Sequence, residues 1–297
     1  MRQSITAIKE IDEMSTIELI ELFNSEDKKV ATSVAASIGS IVKAVDAVSE
    51  VLAAGGRMIY IGSGTAGKIG VMDASECPPT FGVADDLVSA VISGGAQAVV
   101  GWCEDTEDDE SQAVRDIAAK TVTGQDIVVG ISASGNTPYV LAAVQFAREQ
   151  GARTIGVSCS PQSKLAAAVD ISIMVDVGPE IILGSTRLKA GTAQKMVINM
   201  LSSCAMIKLG KTYGSLMVNV RPINAKLKQR VLDIIQEAAA CSAEAARQAL
   251  AQTGGNTKAA ILMLLTGLEP AAAIRLLEKN KGYLKIAIKD DQLESYL

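Results

Sequence analysis

Short runs of β-prone apolar residues alternate with stretches of helical periodicity through the middle of the chain. Strand candidates fall at 57–61, 87–92, 126–131, 152–157 and 171–177, and helical spacing predicts helices over 111–120, 138–150 and 163–169. Apolar strands alternating with helices place this part of the chain in the α/β class, a doubly wound parallel sheet with helices on both faces, three layers deep. In such sheets ligands collect at the carboxyl ends of the strands. On the amino-terminal side, Ser15-Thr16-Ile17-Glu18 has the form of a capping box and predicts a helix over 16–23. Ile38, Ile41, Val42, Val45, Val48, Val51 and Leu52 then fall at helical spacing, with Gly55-Gly56 as a stop. Beyond Gly178-Pro179-Glu180 a long helix is predicted to run through Leu209. From about Lys226 the composition turns alanine-rich and helical, with Ser242 and Pro270 as helix starts, which predicts a bundle of three short helices. The pattern divides the chain into an α/β domain with amino-terminal helices, 1–225, and a small helical domain, 226–297.

The candidate chemistry concentrates at 57–82, where a strand runs into a helix through Gly62, Gly64 and Gly67. Backbone N–H groups at such a turn form a ready anion site. Two nucleotide motifs nearly fit. G-x-G-x-x-G is satisfied, yet the next apolar stretch ends in Ser93-Gly94-Gly95 where a dinucleotide site needs an acid. G-x-x-x-x-G-K is satisfied as well, but Ile69 stands where a hydroxyl would ligate magnesium. The turn instead carries Ser63 and Thr65, side-chain donors suited to a phosphate monoester. A second hydroxyl-rich turn, Ser132-Ala133-Ser134-Gly135-Asn136-Thr137-Pro138, repeats this chemistry after the 126–131 strand. An ordinary helix N-cap also uses Ser and Thr, but two such loops in one sheet point to a phosphate pocket. A third segment, 184–195, brings Ser185, Arg187 and Lys189 to a helix start, as an anionic sugar or a subunit contact would require.

Composition narrows the chemistry further. The chain has 297 residues, 48% of them hydrophobic, enough to bury a large core and a second small one. A net charge of -5 argues against a nucleic-acid surface, so the expected partners are small molecules or copies of the chain itself. Five cysteines without C-x-x-C spacing suit reduced thiols in a cytoplasmic protein, and residues 1–10 lack an apolar signal core. The longest uncharged run, 127–147, is interrupted by Ser132, Gly135 and Pro138, so no membrane span is expected. With no histidine, acid–base chemistry near neutral pH falls to other groups, carboxylates among them. Glu76 follows the first turn in a segment where Pro78-Pro79 is expected to end the helix and leave the carboxylate at an irregular junction. Residues 104–110 form a second acidic cluster. By itself that cluster reads as a solvated helix start.

These segments resemble the N-acetylmuramic acid 6-phosphate etherases, members of the sugar isomerase (SIS) fold family. The resemblance is carried by IGSGTAGKIGVMDASECPPTFG at 61–82, VVGISASGNTPYV at 128–140 and GSTRLKAGTAQK at 184–195, and extends from about Leu19 to the end of the terminal helices. It implies cleavage of the ether between D-lactate and the sugar of N-acetylmuramate 6-phosphate, in cell-wall sugar recycling or amino-sugar catabolism. It also implies a homodimer, a phosphorylated amino sugar as partner, and neither cofactor nor metal. The family's glutamate in the DASECPPT block matches Glu76, and its second glutamate falls on Glu107, with Glu104 and Glu110 as acidic neighbours. The phosphate hydroxyls should correspond to Ser63, Thr65, Ser132, Ser134 and Thr137, with Gly64, Gly135 and Asn136 completing the two turns. The chemistry fits the residue inventory. In the open-chain aldehyde the C2 proton is acidic, so one carboxylate removes it while another carboxyl protonates the departing ether oxygen. An aldose–ketose isomerase on the same fold would need the C2 base alone, and a sugar-phosphate sensor would need neither group.

Overall fold

The computed structural model describes residues 11–101, 103 and 106–294. The segment 1–10, on which the missing signal core was read, and Glu104 of the acidic cluster lie outside these residues. Two amino-terminal helices, α1 (Thr16–Ala36) and α2 (Ile38–Ala53), precede β1 (Met58–Gly62), α3 (Gly64–Phe81) and β2 (Val88–Ile92). Then come α4 (Gly95–Val100), α5 (Glu110–Ala118), β3 (Ile127–Ile131), α6 (Pro138–Glu149), β4 (Arg153–Ser158), α7 (Lys164–Ala168), β5 (Ile171–Met174) and α8 (Lys189–Lys208). Five further helices follow: α9 (Ala225–Ala239), α10 (Ala243–Gln252), α11 (Thr257–Thr266), α12 (Pro270–Lys279) and α13 (Leu284–Glu294). Among the described residues no single helix is long and apolar enough to cross a membrane.

The chain forms two compact units, one of residues 1–75 and 86–205, the other of residues 76–85 and 206–297. In the first, all five strands pair in parallel in the order β2-β1-β3-β4-β5. The doubly wound sheet is therefore as expected. β1 and β3 are buried at every position, as strands covered on both faces must be. Side chains alternate between the two layers. Ile59, Ile61 and Val128 join Ala113, Ile117, Val140 and Val144 of α5 and α6 in one apolar cluster. Tyr60 points the other way, and its hydroxyl donates to Asp73 of α3 at 2.8 Å. Ser202 of α8 donates to the second oxygen of Asp73 at 3.1 Å. Burial raises the pKa of this carboxyl, and the two hydrogen bonds oppose the shift. The second unit has its own core, built from residues such as Val231, Ile234, Ile261 and Leu277.

Three sequence expectations need correction. The first helix does not stop near 23 but runs to Ala36, and the charged residues beyond 23 are accommodated on it, with Glu26 pairing with Lys29 and Lys189. The prolines do not end α3, which contains Pro78 and Pro79 and continues to Phe81. A proline inside a helix costs about 3 kcal/mol through the lost N–H and the ring clash. Here the turn is held from outside, since the Arg221 N–H donates to the Pro79 carbonyl at 3.2 Å and the Arg221 guanidinium pairs with Asp85 at 2.8 Å. Gly82, at φ +61, then closes the helix with its N–H on the Pro78 carbonyl. Glu76 therefore sits on a regular helix. Finally, the carboxy-terminal bundle has five helices, α9 to α13, where three were expected.

The end of the sheet opposite the strands' carboxyl termini is pinned by Asp126, whose side chain is 3% exposed. One oxygen accepts the Arg57 N–H and Nε, the other the Arg57 guanidinium at 2.8 Å and the Thr123 N–H at 3.0 Å. Burial works to raise its pKa, but the Arg57 and Thr123 bonds outweigh burial and hold the carboxyl below its usual value. Replacing Asp126 with Asn leaves Arg57 unpaired and should cost about 2 to 3 kcal/mol in urea unfolding at neutral pH. A carboxyl with a depressed folded pKa stabilises fully above the usual carboxylate pKa and loses that contribution as pH falls through the depressed value. The gap between wild type and Asp126→Asn should therefore narrow on acidification through that window, and a gap that widens there would contradict the assignment.

Candidate active site

The cleft forms where two adjacent strands end. Register pairs Gly62 of β1 with Ile131 of β3, so the turns that follow, 62–65 and 131–138, emerge side by side. β2 lies on the outer side of β1, so successive connections leave the β1/β3 boundary in opposite directions, the switch point at which open α/β sheets receive ligands. The first turn is tight. A Cβ on Gly62 would lie 2.7 Å from the Gly67 nitrogen, so only glycine lets the chain fold back this closely. The first-turn amides of α3 have no intrahelical acceptor, and Gly64, Thr65 and Ala66 of that turn line the cleft.

The second turn is organised by Ser132, which is 3% exposed. Its Oγ accepts the Gly135 N–H at 3.1 Å and lies 2.8 Å from the Thr137 hydroxyl. Gly135 has φ +67, and a Cβ there would sit 1.9 Å from the Ser163 Oγ. Asn136 is committed to the loop. Its Nδ2 donates to the Ser134 carbonyl at 3.0 Å, and its Oδ1 accepts the Lys164 N–H at 3.2 Å. Ser134 is exposed and accepts the Asn136 N–H at 3.2 Å.

Two contiguous cavities of about 370 and 430 Å³ share Ser63, Gly64, Thr65, Glu107 and Asp108 in their walls. The larger adds Ser132, Ser134, Asn136 and Thr137, which brings both hydroxyl turns and Glu107 to one cleft. Glu107 is exposed, and its backbone carbonyl accepts the Tyr139 N–H of α6 at 3.0 Å. Tyr139 is fully buried and its hydroxyl donates to Asp116 of α5 at 2.6 Å. Burial and the Asp116 carboxylate drive the Tyr139 pKa upward, so this phenol stays protonated as a fixed strut between the two helices.

Other expected residues are placed differently. Glu76 is exposed on α3, in the second compact unit, and lines neither cavity. Arg187 lines the smaller cavity, whereas Ser185 is half-buried and lines neither. Lys189 is 2% exposed and points away into an ion pair with Glu26 at 2.7 Å, while Glu180 accepts the Lys189 and Ala190 N–H groups at 3.0 and 2.9 Å. Lys189 first, then Lys29, holds the Glu26 carboxyl below its usual pKa. These bonds anchor the segment that carries Gly184, Thr186 and Arg187 to the cleft.

Sequence reasoning missed two side chains. Ser93, 1% exposed at the end of β2, shares a 2.6 Å contact with the Ser63 hydroxyl and accepts from Thr106 at 3.3 Å. Gln194 of α8, also 1% exposed, lines the larger cavity with an Nε2 that has no acceptor among the described residues. The position of Ser93 after a strand was a usable signal; nothing in the sequence distinguishes Gln194 from an ordinary helical residue.

A family model described as "SIS domain" matches residues 109–203, and one described as "Glucokinase regulatory protein N-terminal SIS domain" matches 40–148. Among solved structures, a phosphoheptose isomerase from Francisella tularensis aligns at a TM-score of 0.53 and 19% identity over 65% of this chain and 100% of its own. One from Neisseria gonorrhoeae aligns at 0.51 and 18% over 64% and 99%. At these identities the likeness is one of fold, and together with the switch-point cleft it defines a SIS-type α/β protein.

Sequence relatives narrow this further. An N-acetylmuramic acid 6-phosphate etherase of Streptomyces avermitilis is 50% identical over 95% of this chain and 90% of its own length. Etherases of Clostridium beijerinckii and Serratia proteamaculans are 47% and 48% identical over 94% of this chain and 92% and 94% of theirs. The chain belongs to the N-acetylmuramic acid 6-phosphate etherase family.

Proposed function

We infer that this protein is an N-acetylmuramic acid 6-phosphate etherase, a carbon–oxygen lyase releasing D-lactate and N-acetylglucosamine 6-phosphate. The observation that carries the reading is near-full-length identity of about half to proteins named for that reaction. An isomerase on this fold shares only the fold with the chain, at about one residue in five.

In this reading the 6-phosphate lies between the two turns, taking hydrogen bonds from Ser63, Thr65, Ser134 and Thr137 and from the α3 amides, with Ser132 ordering the second turn from below. Gln194 is a further donor, since its buried amide N–H needs an acceptor that the described residues do not supply. Glu107, at the junction of both cavities, takes the C2 proton of the open-chain aldehyde. Glu76 gives its proton to the C3 ether oxygen as the C–O bond breaks, leaving a 2,3-unsaturated aldehyde and D-lactate. Water then adds at C3 and a proton returns to C2, which completes N-acetylglucosamine 6-phosphate. The protein works in the cytoplasm as a homodimer. Exposed apolar side chains on α1 and α2, Ile17, Ile20, Ile38 and Val42 at 63, 62, 53 and 50%, supply a face for the second copy. Glu76 lines neither of the two cleft cavities, which suits a site completed by a second copy.

Incubation with N-acetylmuramic acid 6-phosphate should release D-lactate, and absence of lactate with folded protein would refute the activity. Ser132→Ala, Thr137→Ala and Gln194→Leu should each raise KM by about five- to thirtyfold, equivalent to about 1 to 2 kcal/mol of hydrogen bonding to a charged group. An unchanged KM together with an equal rate on the unphosphorylated sugar would exclude the phosphate assignment. Shared sites make a separate prediction. Glu76→Ala and Glu107→Ala chains, inactive alone, should recover about a quarter of wild-type activity when co-assembled, because half the dimers are mixed and each holds one intact site. No recovery in verified mixed dimers would place both carboxylates on one chain.

A further inference from the structure

The second compact unit holds a cavity of about 680 Å³ that the etherase reaction does not use. Lys211, Lys258 and Lys281 line it, and Glu278 is the sole carboxylate in its wall. Lys258 is 8% exposed; its Nζ donates to the Gly210 and Gly282 carbonyls, each at 2.7 Å, which leaves one N–H and the full positive charge. Lys211 is half-buried, and its ammonium has no hydrogen bond or ion pair among the described residues. Burial, and secondarily the Lys211 charge, push the Lys258 amine down to about 8, and burial lowers Lys211 as well. Two neighbouring ammonium groups in a recess, neither within 4.0 Å of a carboxylate, depart from the rule that buried charges are paired.

Two independent features point the same way. The cavity wall includes Thr257 and Lys258, the first two residues of the ten-residue helix α11, whose backbone N–H groups precede the one capped by Asn256. The wall also includes Asn219, whose buried Oδ1 has no donor among the described residues. We propose that this cavity binds a hydroxyl-bearing phosphate monoester, its phosphate between the Lys211 and Lys258 ammonium groups and the α11 amides, and a hydroxyl donated to Asn219. Two cations match a dianionic phosphate better than a carboxylate, and the volume exceeds that of bare phosphate and suits a sugar-sized body. Glu278 at the rim disfavours a second phosphate on the same ligand.

The test reads Lys211 and Lys281 directly, so the cleft of the first unit does not confuse it. The full-length protein is acylated at pH 7.5 with limiting acetic anhydride, and the rate at each lysine is followed by peptide mass spectrometry, with glycerol 3-phosphate, glycerol, or sodium chloride of matched ionic strength. Pairing with phosphate favours the ammonium form, and one unit of pKa leaves tenfold less free amine, so glycerol 3-phosphate should slow Lys211 about tenfold while glycerol and chloride leave it unchanged. Lys281, in the same wall, should be slowed as well, and in Lys211→Met, checked for folding by circular dichroism, that protection of Lys281 should disappear. An unaltered Lys211 rate, a slowing that chloride reproduces, or protection of Lys281 that survives in Lys211→Met would each overturn the proposal.

Discussion

The parallel pairing of β1 with β3 is the constraint on which the site depends. Neither hydroxyl turn holds enough donors to define a phosphate pocket alone, and each resembles a common helix start. Register places Gly62 beside Ile131, so the turns that follow are neighbours in space although about seventy residues separate them in the chain. Backbone hydrogen bonds between two strands buried on both faces thus fix the spacing of side chains that would otherwise have to be ordered one at a time, at the cost of their own conformational entropy.

Around this pair the protein adds struts that hold the exposed Glu107 and the 184–188 segment in place. Tyr139 joins α6 to Glu107 through its backbone and to Asp116 of α5 through its hydroxyl, so one residue ties both the acidic segment and the helix that follows it to α6. The 184–188 segment is anchored differently, by a carboxylate at the start of α8 and a buried lysine that reaches α1. Lys189 serves the site through that anchor, and removing its partner Glu26 would strand a buried charge. Buried struts behind exposed donors are what a preorganised phosphate site requires, because little ordering cost is then left to binding.

Much of this was legible in the residues. Periodicity located all five strands to within a few positions, since short β-branched runs bounded by glycine and polar residues have little alternative. That Ser63, Thr65, Ser132, Ser134 and Thr137 would meet in one cleft could be anticipated, because hydroxyl-rich turns following neighbouring parallel strands emerge at the same end of the sheet. Strand order was not legible, because pairing is decided by contacts distant in sequence. Pro78 and Pro79 misled, because the bonds that sustain their helix come from Arg221, far along the chain. Lys189 misled for the opposite reason: a basic residue at a helix start suits an anion, but only the fold reveals that Glu26 already occupies it. Gln194 and Lys258 gave no signal at all, since only burial makes an amide without an acceptor, or an ammonium without a carboxylate, meaningful.

The proposed reaction divides labour between two carboxylates, with proton abstraction at C2 by Glu107 and protonation of the ether oxygen by Glu76. Hydrogen exchange at C2 separates these steps, because abstraction alone washes solvent deuterium into the substrate even when the leaving group cannot depart. In deuterated water, Glu76→Ala should incorporate deuterium at C2 of recovered N-acetylmuramic acid 6-phosphate while releasing lactate at least about a hundredfold more slowly than wild type. Glu107→Ala should lose both. Exchange that persists in Glu107→Ala and vanishes in Glu76→Ala would reverse the roles, and full activity in Glu107→Ala would contradict the account.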